Sequence, residues 1–156
     1  MTALDASTCI VLPYPVSANR YWRSFVPRGG SRAIVTRSPE AKQYIHDVQL
    51  LMVQAGIREP MDGWVYCRLR LYPALPKDWA RRSQKDPDGW EHSVQCMDVG
   101  NCEKVLSDAL NGLLWHDDKQ IRMMILERMS PDTHGARVTL EVMRDPTPFT
   151  QQGLFA

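Results

Sequence analysis

The stretch CMDVGNCEKVLSDALNGLLWHDDKQI, residues 96–121, predicts one helix that opens near Gly100 and has acidic residues beyond both of its ends. Asn101, Lys104 and Asp108 stand at i, i+3 and i+7, so they share one face of that helix. Its buried side is supplied by Val105, Leu106, Ala109, Leu110 and Leu113. We therefore expect an amphipathic helix that packs on a sheet.

Acidic residues flank this helix, with Asp98 before it and Asp117 and Asp118 after it. A helix folded back on the sheet could bring the carboxylates of both ends to one site. Carboxylates clustered without cysteine or histidine partners suit Mg²⁺, a hard cation that prefers oxygen ligands. The structural alternative makes Asp98 a helix cap and the aspartate pair ordinary turn residues. Spacing leaves both interpretations open.

The residues around this stretch predict further strands and one more helix. SPEAKQYIHDVQLLMVQAG, residues 38–56, begins with a capping serine and a first-turn proline and ends at a glycine, which is typical of a helix. Strands are expected from periodicity and turn residues at 7–13, 31–37, 63–73, 121–129 and 136–144. This order predicts an α+β fold, a mixed β-sheet with helices packed mainly on one face.

Length and composition indicate one globular domain. The chain has 156 residues, of which 44% are hydrophobic and 24% charged, both ordinary values. We expect the domain at 1–144, with a long basic loop at 73–97 and a loosely held C-terminal tail at 145–156. No apolar run reaches membrane-spanning length and no export signal is seen, so a cytoplasmic protein with reduced cysteines is expected.

The segment 13–37 contains five arginines and no acidic residue, with tyrosine, tryptophan and phenylalanine interleaved. Arginines contact phosphates and aromatic rings stack on unpaired bases, so the segment suits nucleic acid. The alternative is a solvated hairpin whose aromatic residues face the core. Arg81, Arg82 and Lys85 make the 73–97 loop locally basic, and Trp79 and Trp90 could anchor its ends.

The chain resembles the RusA family of Holliday junction resolvases, phage-derived endonucleases that cut four-way DNA junctions. The family pattern is D-x-D-N-x-x-K, then D-A-L, then an aspartate pair with glutamine two residues on. Here DVGNCEK begins at Asp98, DALNG at Asp108 and WHDDKQI at Trp115. LPYPVSANRYWR, from Leu12, resembles the family's opening strand and its L-P-x-P-x-S-x-N-R-Y turn. The middle loop is longer than the short basic linker typical of the family.

The resemblance implies a homodimer that resolves branched DNA, especially four-way junctions, by paired nicks with Mg²⁺, with Mn²⁺ as the alternative metal. It implies metal binding by Asp98 and Asp118 and a catalytic role for Lys104, whose alternative is an i,i+4 pair with Asp108. Asp117, the first residue of the aspartate pair, is a further candidate metal ligand. The expected DNA-binding residues are Asn19, Arg20, Arg23, Arg28, Arg81, Arg82 and Lys85.

Gly100 departs from the pattern, because it stands where the family has its second metal-binding aspartate. Glu103, one turn further along the helix, is a candidate replacement. One hypothesis is that Glu103 supplies the missing metal ligand and Gly100 makes room for it, which leaves an active, catalytic site. The alternative is a catalytically impaired protein that still binds junctions.

Overall fold

The computed structural model describes residues 7–144, and the tail expected at 145–156 lies outside the described residues. In that part of the chain the strands are β1 Thr8–Pro13, β2 Trp22–Phe25, β3 Ile34–Arg37, β4 Val65–Tyr72, β5 Ile121–Arg128 and β6 Arg137–Met143. The α-helices are α1 Ala18–Tyr21, α2 Pro39–Gln54, α3 Trp79–Lys85 and α4 Val99–Leu110. Short 3₁₀ turns lie at Trp90–Ser93 and Asp118–Gln120. Within 7–144, none of the helices combines the length and the apolar character needed to cross a membrane.

A four-stranded mixed sheet forms the centre of the fold, in the order β1-β6-β4-β5. β4 and β5 are parallel, whereas β6 runs antiparallel to both β1 and β4. Alternate residues of β4, from Val65 to Leu71, are fully buried, as its two-residue period predicts. They join one core with the apolar faces of α2 and α4. The predicted α+β fold is therefore confirmed.

The direction of α4 fixes where its two ends lie. Because β4 and β5 are parallel, the connection between them must return along the sheet, and α4 forms that return. Beyond its C-terminus, the carbonyl of Leu114 accepts a 2.9 Å hydrogen bond from Met61, shortly before β4 begins. Before its N-terminus, the carbonyl of Val94 accepts a 2.9 Å bond from Arg128 at the end of β5. The C-terminus of α4 therefore lies where β4 and β5 begin, and its N-terminus lies where they end.

The expected loop at 73–97 needs a correction, because α3 and the Trp90–Ser93 turn lie inside it. No residue of α3 is buried, so its sequence shows no apolar period. An Asp78–Arg82 ion pair of 2.8 Å stabilises the first turn of α3. The rings of Trp79 and Trp90, with centroids 6.5 Å apart, join α3 to the 3₁₀ turn. The basic residues of the segment cluster on α3, and the segment is partly helical.

Strands β2 and β3 form a separate two-stranded hairpin beside the main sheet. The hairpin is fixed at its base, where the Ser38 amide donates to the Tyr21 carbonyl at 2.8 Å. Arg37, the last residue of β3, reaches Asp108 on α4. The aromatic residues of β2 are exposed, so the expected alternative in which they face the core is wrong for Trp22 and Phe25.

Candidate functional site

A groove of about 970 Å³ opens at the N-terminus of α4. The turn after β1 forms one wall, and α1 and the first turn of α2 add Arg20 and Glu40. Arg82 of α3 lies on another wall, and Asp98 and Asn101 line the groove from α4. The groove thus combines two carboxylates, those of Asp98 and Glu40, with two arginines, and this mixture suits a phosphate-bearing ligand with a cation beside it.

Asp98 is the N-cap of α4, as the structural alternative predicts. Its Oδ1 accepts hydrogen bonds from the backbone N–H groups of Gly100 at 2.9 Å and Asn101 at 3.1 Å. The cap uses only Oδ1, and the exposed side chain lines the groove. Asp98 can therefore cap the helix and still offer its second oxygen to a cation.

Gly100 is not required by the backbone, because its φ is not positive. A Cβ added there would meet one atom within 4 Å, Oδ1 of Asp98, at 3.1 Å. That contact is tight, but the rest of the space is open. An aspartate at this position would place a second carboxylate beside Asp98.

Glu103 lies one turn further along α4, and its carboxylate is engaged elsewhere. Its Oε1 accepts a 2.6 Å hydrogen bond from the hydroxyl of Ser107, one turn towards the C-terminus. Glu103 is also absent from the lining of the groove. A role as replacement ligand requires this bond to break and the side chain to turn towards Asp98.

Asp117 and Asp118 lie at the other end of α4. The Oδ1 of Asp117 accepts from the Lys119 amide at 2.9 Å, and this bond holds the pKa of Asp117 below its usual value. Gln120 completes a capping box by accepting from the Asp117 amide at 3.1 Å. The Gln120 amide group also donates to the carbonyl of Met61 at 2.8 Å. These bonds fix the aspartate pair at the sheet edge where β4 and β5 begin.

The predicted metal ligands are therefore not brought together within one chain. α4 has twelve residues, which at 1.5 Å each separate its ends by about 18 Å. Across residues 7–144, no three His, Cys, Asp or Glu side chains are arranged to hold a metal ion. Burial raises the pKa of Cys67 and of Cys102 to about 12, so these thiols stay protonated at neutral pH. A single chain does not fit the metal that its sequence predicts.

Lys104 is exposed on α4, and the alternative pair with Asp108 is not among the ion pairs of the described residues. Asp108 is bound instead by Arg37, through Nε at 3.2 Å and Nη2 at 3.1 Å. The Tyr21 hydroxyl also donates to Asp108, and burial together with this carboxylate raises the pKa of Tyr21. Lys104 is thus left available for a ligand, and Asp108 attaches the hairpin to α4.

The expected DNA-binding residues occupy three places. Asn19 and Arg20 are exposed on α1, next to the groove, and Arg20 makes a 3.4 Å ion pair with Glu40. The hairpin carries Arg23 and Arg28, both exposed. α3 carries the rest: Arg81, Arg82 and Lys85.

Sequence reasoning missed three residues of this region. Tyr21 and Arg37 belong to the segment 13–37, and no local pattern links them to Asp108, which lies 87 and 71 residues away in the sequence. Glu40, in the first turn of α2, also lines the groove, and no sequence motif marks it. A hydrogen bond from the backbone N–H of Glu40 to its own carboxylate makes the largest contribution to lowering the pKa of Glu40.

Comparison with known protein families supplies one match. The family model described as endodeoxyribonuclease RusA matches residues 13–143. Among curated proteins, no sequence matches the chain. The matched range begins at the last residue of β1 and includes the groove, the hairpin, all of α4 and the acidic residues beyond both ends of that helix.

Proposed function

The chain belongs to the RusA family of endodeoxyribonucleases, and on that premise we propose that it resolves four-way DNA junctions by paired, metal-dependent nicks as a homodimer. Members of this family are Holliday junction resolving endonucleases that act on branched DNA. The observation that carries the proposal is the groove, which Asp98 lines together with Arg20 and Arg82. The arginines would bind phosphates, and Asp98 would supply one ligand to a cation beside them.

The metal site in this proposal is shared between two protomers. Within one chain α4, which is about 18 Å long, separates Asp98 from the aspartate pair. In a two-fold dimer, any surface on one protomer meets its counterpart reciprocally. If the groove of each protomer faces the other's aspartate pair, two equivalent sites form, each with Asp98 and the partner subunit's Asp118. Two such sites match the two symmetric strands that must be cut in a four-way junction.

Each groove residue then has a chemical role. A bound Mg²⁺ or Mn²⁺ would lower the pKa of a water molecule and neutralise charge on the phosphate under attack. Arg20 and Arg82 exchange their exposed ion pairs with Glu40 and Asp78 for the phosphates on either side of the scissile one, and so fix the strand in the groove. Lys104 shares a helix face with Asn101, which lines the groove, so its ammonium stabilises the charge that develops on the phosphate.

A second candidate function is junction binding without cleavage. It is favoured by Gly100, which leaves space where a second carboxylate would fit, and by Glu103, whose carboxylate is held by Ser107. The DNA-binding surface is the same in both candidates. They differ only in whether the protein holds the metal tightly enough to cleave.

A cleavage assay on a labelled synthetic four-way junction tests the proposal. We expect symmetric nicks near the branch point with Mg²⁺ or Mn²⁺ and none with a chelator, while linear duplex of the same sequence stays intact. Tight, junction-selective binding without cleavage in either metal would establish the second candidate. Equal affinity for junction and duplex would contradict both.

A further inference from the structure

The β2–β3 hairpin exposes an unusual amount of apolar surface. Its two strands carry Trp22, Phe25, Ile34 and Val35, with exposed fractions of 51%, 43%, 47% and 64%. All four residues of β2 are exposed. Trp22 and Val35 lie on one face of the hairpin, and Phe25 and Ile34 lie on the other. Apolar side chains exposed on both faces of a small hairpin indicate a binding surface.

One face of this hairpin forms a pocket together with α2. Trp22 pairs with Arg37, and Ser24 with Val35, so these four side chains share a face. A cavity of about 430 Å³ lies on that face. Its lining comprises Trp22, Val35, Thr36, Arg37, Lys42 and Ile45. An exposed indole therefore forms one wall, and an exposed lysine supplies a cation at the rim.

The charge around the pocket selects its occupant. The segment 13–39 has five arginines and no acidic residue. Arg37 is neutralised by Asp108, but Arg23, Arg28 and Arg32 remain exposed on the hairpin. A second copy docked here face to face would set arginines against arginines, which is unfavourable. A polyanion that also presents flat apolar faces fits both the charge and the tryptophan, and nucleic acid with an unstacked base has both features.

We propose that this pocket receives a base displaced from the stack at the branch point of a DNA junction, with Trp22 as the stacking surface. The proposal rests on the junction-resolving function above and names the part of the substrate that the hairpin recognises. Lys42 contacts the phosphate next to the displaced base. A base at a branch point costs less to unstack than one inside a duplex, so the pocket favours junctions.

The hairpin also connects this pocket to the cleavage groove. β2 follows directly from α1, whose Arg20 lines the groove, and Arg37 is attached to α4 through Asp108. A base held by Trp22 therefore fixes the branch point relative to Asp98. The pocket sets the distance from the branch point to the cut.

The test uses junctions that carry the fluorescent base 2-aminopurine at the branch point, bound by the full chain without metal. We expect the parent protein to change the fluorescence, because the base leaves the stack and contacts the indole. Trp22→Ala should lose that change and weaken junction binding about tenfold, as expected for losing one stacked base, with duplex affinity unchanged. Trp22→Phe should keep most of both effects.

Trp64→Ala is the matched control, since Trp64 is 55% exposed and lies outside the hairpin. It should behave like the parent. Equal loss of junction and duplex affinity in Trp22→Ala would overturn the proposal. If Trp22→Ala instead changes the sedimentation coefficient and leaves the junction preference unchanged, the pocket is an interface between copies of the chain, which also overturns the proposal. A parent that does not prefer junctions removes the proposed function itself, whereas a junction-selective parent unaffected by Trp22→Ala removes only this inference.

Discussion

Asp98 caps α4 with one oxygen and presents the other to the groove, so its structural and chemical roles can be separated by substitution. Asparagine caps a helix about as well as aspartate does, because its side-chain oxygen accepts the same bonds. We predict that Asp98→Asn folds with unchanged stability, loses junction cleavage and keeps junction binding.

Asp98→Ala should lose cleavage and also about 1 kcal/mol of stability, since the cap is removed. Urea unfolding and gel-based cleavage of the same preparations measure both quantities. An Asp98→Asn protein that cleaves like the parent would remove Asp98 from the metal site.

Gly100 and Glu103 decide whether this chain is an efficient nuclease. Gly100→Asp would place a carboxylate beside Asp98, with one neighbouring atom to displace. If the site lacks a ligand, we predict at least tenfold faster junction cleavage at low Mg²⁺ concentration in Gly100→Asp. Glu103→Gln in the parent background should then leave cleavage unchanged, because the Ser107 bond holds that carboxylate away from the groove.

The opposite pattern would support Glu103 as the replacement ligand. Loss of cleavage in Glu103→Gln, with no gain in Gly100→Asp, means that the Glu103–Ser107 bond breaks when the metal binds. Ser107→Ala, which releases Glu103 without removing its charge, is the matched control.

Among the elements, the hairpin depends on α4 for its position. The Arg37–Asp108 pair is about two-thirds buried at Asp108 and is bidentate, so it should stabilise the fold by about 1 kcal/mol. We predict a coupling of that size in a double-mutant cycle of Arg37→Gln and Asp108→Asn, measured by urea unfolding. The exposed Arg20–Glu40 pair is the control, and its coupling should be clearly smaller because solvent screens it. Equal coupling in the two cycles would contradict the anchoring role.

The connection between β5 and β6 provides a pH-dependent test. Asp132 accepts from both terminal nitrogens of Arg137 at 2.7 Å and from the His134 amide at 2.8 Å. The hydrogen bonds from the Arg137 guanidinium make the largest contribution to holding the pKa of Asp132 well below its usual range. The stability that the ionised Asp132 carboxylate contributes is therefore complete above about pH 4, the pKa of an aspartate in the unfolded chain. It is lost as the pH falls through the lower pKa that Asp132 has in the folded protein.

We predict that Asp132→Asn lowers the melting temperature at pH 7, and that its difference from the parent narrows steadily from pH 4 to pH 2. Thermal unfolding followed by circular dichroism at each pH measures this difference. A difference that is constant over this range would contradict the ion pair.

The elements differ in how well the sequence predicts them, and the reason is burial. β4, α2 and α4 each bury one face, so their apolar residues recur with the period of the element and could be predicted. α3 buries no residue, and its helix formation depends on an ion pair and on a ring contact with Trp90 that no local period reveals. The residues at the ends of α4 were identified from sequence, but their separation follows from the direction of that helix.

On the scale of the whole molecule, the same topology that builds the core divides the predicted metal ligands. A parallel pair of strands needs a return connection, and α4 is that connection, so its two acidic ends lie at opposite edges of the sheet. The proposed shared site predicts a dimer in which neither protomer is active alone. Subunit mixing tests this claim directly.

The decisive measurement is junction cleavage by mixtures of Asp98→Asn and Asp118→Asn proteins, unfolded and refolded together, in the parent or the Gly100→Asp background, whichever cleaves. In a mixed dimer with shared sites, one site loses both carboxylates and the other keeps both. We therefore predict that each variant alone is inactive, and that an equal mixture recovers about a quarter of the activity, because half of the dimers are mixed and each has one intact site. Sites formed within single protomers would lack a carboxylate in every dimer, so a mixture as inactive as its components would contradict the shared site.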